Sequence, residues 1–197
     1  MRFHFAVAAI LFLALALQEF VPVSDWAYGA RLLLVHTVFL SAAVAVPMPT
    51  MLLFALLAGF LWDARHHVPI YPEESSFGFL VQSEIPFGFT ILLLALGGTF
   101  IQGLRPLFRR GRWELPVLMV GVCTAFILAV EYIVISFHRG GLEVRPELGW
   151  KMLMTSLFSA LLSPFLLLFY SRVAHRTQYR IRMDGLRRRH TYDGDAL

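Results

Sequence analysis

The sequence has one cysteine and one lysine in 197 residues. A lone cysteine excludes a disulfide framework, and Cys123 lies inside an apolar run, where a thiol reads as packing. Charge is scarce as well: 15% of the residues are charged and 58% are hydrophobic. Chemistry-bearing motifs are missing too. There is no H-E-x-x-H, nucleophile elbow, phosphate loop or helical histidine–carboxylate pair, and Ser75 and Ser76 fall in an unconstrained loop. No enzyme, cofactor or catalytic residue is therefore expected. The basic residues are almost all arginine, without the aromatic interleaving or the motifs of a nucleic-acid binder.

What is present is apolar sequence in blocks. A spanning helix needs roughly 20 apolar residues. The runs predict an all-α integral membrane protein with six spans, at about 3–20, 27–46, 48–63, 85–104, 115–137 and 150–171. These form one transmembrane domain, 1–171, followed by an arginine-rich tail, 172–197. The first run, ending near Ala14-Leu15-Ala16, is also compatible with a signal peptide; further spans without a soluble domain favour a retained helix. Pro47 and Pro49 make the turn between spans two and three tight. Pro86 and Pro116 fall in first turns, where a missing N–H does little harm.

Six spans put both termini on one side, and arginine placement chooses the side. Arg2, then Arg105, Arg109, Arg110 and Arg112, and seven tail arginines make twelve basic residues on one side; Arg65, Arg139, Arg145 and Lys151 make four on the other. Both termini are thus expected in the cytoplasm. The tail is expected to fix topology, or to meet the inner leaflet or a partner.

Residues 55–80, "ALLAGFLWDARHHVPIYPEESSFGFL", carry the main polar interruption. His66, His67, Glu73, Glu74 and His138 could converge there, but adjacent histidines in a loop point apart, and no metal site is expected. Ala55, Gly59 and Asp63 recur every four residues, so they share a helix face on which small residues admit another backbone. Thr155, Ser159 and Ser163 make a second such face in span six; Gly121, Ala125 and Ala129 line span five similarly. Glu131 stands among apolar neighbours, where a charge near the bilayer centre costs about 3 kcal/mol. It reads either as part of a polar pocket or helix contact, or as a locally hydrogen-bonded carboxyl. Arg31 is a candidate partner on depth alone.

With these residues named, the chain resembles MreD, a multi-span membrane protein of the bacterial cell-elongation machinery. "AGFLWD" followed by "FGF" resembles the family's Gly-x-x-x-Asp ending of span three and the glycine opening the next segment, which places Gly59, Asp63 and Gly78. "LLALGGTFIQGLRPLFRRG" resembles its fourth span and basic loop. "LAVEYIVI" resembles its fifth span and places Glu131; "SALLSPFLLLFYSRV" places Pro164 in the last. The resemblance implies a noncatalytic subunit that binds MreC. It would help couple cytoplasmic MreB filaments to RodA and the elongation transpeptidase. It further implies a six-helix fold similar to the substrate-capture subunits of energy-coupling-factor transporters. Capture of a small ligand from outside is the alternative function. The loop after Asp63 and the tail are longer than is usual for the family.

Overall fold

The computed structural model describes residues 2–66, 86–108, 114–138, 146–179 and 181. Among them the chain is helical apart from connectors and one isolated bridge, Ser24 to Ala30. The helices are α1 (Arg2–Leu17), α2 (Leu34–Ala45), α3 (Met48–His66), α4 (Phe89–Phe108), α5 (Glu114–His138) and α6 (Pro146–Arg176). Five of them, all but α2, are long and apolar enough to cross a membrane. Their outward faces are apolar: Phe5, Leu92, Phe126 and Phe165 are each at least half exposed, as lipid-facing side chains would be.

The span expected over 27–46 is the one the structure corrects most. α2 has only 12 residues, about 18 Å at 1.5 Å each, well short of the roughly 30 Å hydrocarbon core. Eleven of its residues, Val35 to Ala45, are buried, and it packs against all five other helices. α2 is therefore a central post, with its side chains directed at protein on every side. The preceding connector folds into two 3-10 turns, Gln18–Phe20 and Asp25–Ala27. Tyr28 and Gly29 follow with positive φ, 57° and 72°. Aromatic side chains fasten this connector to the first half of α6: Trp26 meets Phe158 edge-on at 5.8 Å, and Tyr28 stacks on Trp150 at 6.2 Å.

Other boundaries also move. α3 starts where the third span was expected and runs on to His66, and only Val46 and Pro47 separate it from α2. α4 begins at Phe89, so Pro86 lies before the helix, in a turn closed by the Phe89 N–H and the Pro86 carbonyl at 3.1 Å. At its other end α4 continues through Arg105 and Pro106 to Phe108. α6 runs to Arg176 and then stops abruptly. Gln178, with φ 52°, donates to His175 O, and Tyr179 donates to Ala174 O, the paired bonds that close a helix on a left-handed residue. Tyr179 then stacks on Phe3 of α1 at 4.3 Å. This places both described chain ends at one end of the bundle, the proximal end. The ends of α1 and α3, joined by an Arg65–Glu19 ion pair, lie at the distal end.

Candidate functional site

The residues singled out by sequence fall into two internal seams and one polar corner. Gly59, in α3, faces the backbone of α4. A Cβ there would sit 2.6 Å from both the N and the Cα of Ile91, so only glycine permits this approach. Ala55, one turn earlier, is fully buried. The backbone that this small-residue face was expected to admit is thus that of α4 of the same chain.

Asp63 ends this seam with 4% of its surface exposed. Its Oδ2 accepts the Gly88 N–H at 2.7 Å, and the Gly88 carbonyl in turn accepts from Leu92 N at 3.3 Å. Asp63 therefore satisfies a donor at the start of α4 from outside that helix, and its negative charge faces the positive end of the helix dipole. Gly88 has φ +91°, in the left-handed region that a side chain disfavours. Gly78, placed by the resemblance as the glycine opening the next segment, lies outside the described residues. The sequence contains two Phe-Gly-Phe triplets, 77–79 and 87–89, and Asp63 bonds the second.

Glu131, in α5, is half-buried and within electrostatic reach of Asp63. Arg31, the partner suggested by depth, is engaged elsewhere: its Nη2 donates to Gln18 O at 2.5 Å and to Glu19 O at 3.5 Å. Among the described residues, a second carboxyl, that of Asp63, is thus a charged neighbour of Glu131. His36 of α2 meets Trp62, the residue before Asp63, edge-on at 4.9 Å.

The second seam is also internal. Thr155, Ser159 and Ser163 are all buried, and Ser159 Oγ donates to Thr155 O at 3.1 Å. Further along α6, Tyr170 donates to Val38 O of α2 at 3.1 Å. On the neighbouring face, a Cβ at Gly121 of α5 would sit 3.0 Å from the Ala160 Cβ. His67, Glu73 and Glu74 lie outside the described residues, as do the side chains of His66 and His138.

Three residues that sequence reasoning did not single out as sites hold the two ends of α2. In a bilayer, the unpaired amides and carbonyls of a helix terminus cannot turn to water. Gln18, 2% exposed, solves this at the distal end. Its Oε1 accepts from Leu34 N at 2.6 Å and Val35 N at 3.4 Å, and its Nε2 donates to Leu32 O at 2.9 Å. At the proximal end Gln102 donates to Val46 O at 3.0 Å and more weakly to Ala43 O at 3.4 Å. Arg105 Nη2 donates to the same two carbonyls, 2.8 Å from Ala43 O. Arg105 is 4% exposed and lies inside α4, one residue beyond the end expected for that span. Its charge meets the negative end of the α2 dipole. The signal available was a glutamine and an arginine three apart on one face of an apolar helix.

A crevice between α1, α2 and α3, lined by Leu11, Leu15, Val35, Leu57 and Ala58, has a volume of about 10 Å³, too little for a ligand and apolar in lining. Compared with known proteins, the chain matches no family model, no curated protein and no solved structure.

Proposed function

We propose that this chain is a non-enzymatic, MreD-like membrane subunit of the bacterial elongation complex. In this reading it spans the inner membrane six times with both termini in the cytoplasm. It binds MreC and helps couple MreB filaments to RodA and the elongation transpeptidase. Its bundle would be similar to the substrate-capture subunits of energy-coupling-factor transporters, with α2 as a span completed by its folded connector.

One observation carries the reading. The Asp63–Gly88 hydrogen bond joins the Gly-x-x-x-Asp end of α3, one of the pieces on which the resemblance rests, to the start of α4. Their convergence gives the pattern a physical purpose: a close helix pair whose polar start is capped from within the protein. The way polar side chains are used adds support. Gln18, Asp63, Gln102 and Arg105 are spent on helix ends, as suits a rigid adaptor.

The test is affinity purification from the native membrane. MreC should copurify, and loss of the chain should cost the cell its rod shape. Recovery of an ATPase module instead of MreC would replace this reading with ligand capture for an energy-coupling-factor system.

A further inference from the structure

The outward face of α6 changes character at one level. Phe165, Leu168 and Phe169 are 69%, 66% and 49% exposed. Arg172 and Arg176 follow on the same stripe and are exposed as well. Spacings of three, four and seven residues keep all five side chains on one side of the helix, so two arginines lie one and two turns beyond an exposed apolar strip.

Arg176 ends α6, where the helix dipole favours a cation, but among the described residues neither arginine is held by an acid, and α6 carries no acidic residue after Glu147. Two like charges four apart on a helix repel unless an anion lies between them. Each guanidinium can bind phosphate oxygens through paired N–H donors. Whatever reaches both features must be apolar along one length and anionic at its end.

We propose that this stripe is a binding site for an anionic phospholipid, its acyl chains on Phe165, Leu168 and Phe169 and its headgroup phosphate between Arg172 and Arg176. A soluble acidic partner would satisfy the arginines but not the apolar strip continuous with them. The site is independent of the assembly reading, since it needs no partner protein.

The test uses purified full-length protein in neutral detergent, titrated with phosphatidylglycerol or phosphatidylcholine and read by native mass spectrometry. Phosphatidylglycerol should bind more tightly. At roughly fivefold per basic residue, Arg172→Gln with Arg176→Gln should weaken it about thirtyfold, leaving phosphatidylcholine unchanged. The corresponding double lysine variant should keep the preference, which separates loss of charge from damage to the helix. Equal affinity for both lipids in the native protein would overturn the proposal. So would an undiminished preference in the double glutamine variant.

Discussion

At the scale of single residues, the most informative side chain is Asp63, because its hydrogen bond and its charge can be separated. Asp63→Asn keeps an acceptor for the Gly88 N–H and should fold nearly as well as the native protein. Asp63→Ala leaves that donor unsatisfied and should cost about 1 kcal/mol, within the usual range for a lost helix cap. Thermal denaturation in detergent distinguishes the two, and equal losses would mean that charge, not the hydrogen bond, holds the start of α4. Proximity to Glu131 adds a second expectation. Either Asp63→Asn or Glu131→Gln removes the repulsion between the two carboxyls, so in a double-mutant cycle their effects should not add. Arg105 is the counterpart at the other end of the bundle. Arg105→Met should cost about 1–3 kcal/mol, because the Ala43 and Val46 carbonyls lose a buried donor. Purified yield and melting temperature report it. Sequence could show that Asp63 and Glu131 interrupt apolar runs. It could not show what Arg105 does, because the carbonyls it bonds lie 59 and 62 positions away and its neighbours in sequence are loop arginines.

At the scale of elements, the close seams decide how the helices sit. Gly59 permits α3 and α4 to touch through their backbones, so Gly59→Ala should force them apart and destabilise the protein by several kcal/mol, more than a typical glycine-to-alanine change in a helix. Because the clash is with main chain at 2.6 Å, no rotamer change relieves it. The same substitution at Gly103, where a Cβ meets nothing within 4 Å, is the control and should be neutral or mildly stabilising. Similar melting temperatures for the two variants would refute the seam. Gly59→Leu is correspondingly a test of folding. The four-residue spacing of Ala55, Gly59 and Asp63 made this face legible in the sequence. Its occupant was not legible, since small residues admit an internal and an external helix equally well. α2 was misread for a related reason. Hydropathy is continuous across residues 27–46, while the backbone becomes helical only at Leu34. That boundary is set by Gln18, a side chain sixteen residues away whose role has no local signature.

For the whole molecule, the arrangement is a post with five longer helices around it, and the membrane fixes what that arrangement can tolerate. A 12-residue helix at membrane depth is viable only because its ends are closed by protein groups. The caps and the orientation of the bundle therefore belong to one problem. Phe3 and Tyr179 stack at the proximal end, so the two described termini share a side whatever that side is. In the orientation proposed above, the arginine bias places that side in the cytoplasm, and the exposed Arg172 and Arg176 lie at this same end. On a Cys123→Ala background, a single cysteine replacing Glu74 should react with an impermeant thiol reagent in intact cells. One replacing Arg110 should react only after the membrane is opened. The assignment is robust to Arg105 being a buried cap, because eleven basic residues remain against four when it is set aside. Reaction at position 110 from outside would invert the molecule. It would put the Arg172 and Arg176 pair on the outer face and the distal end, with Asp63, on the cytoplasmic side.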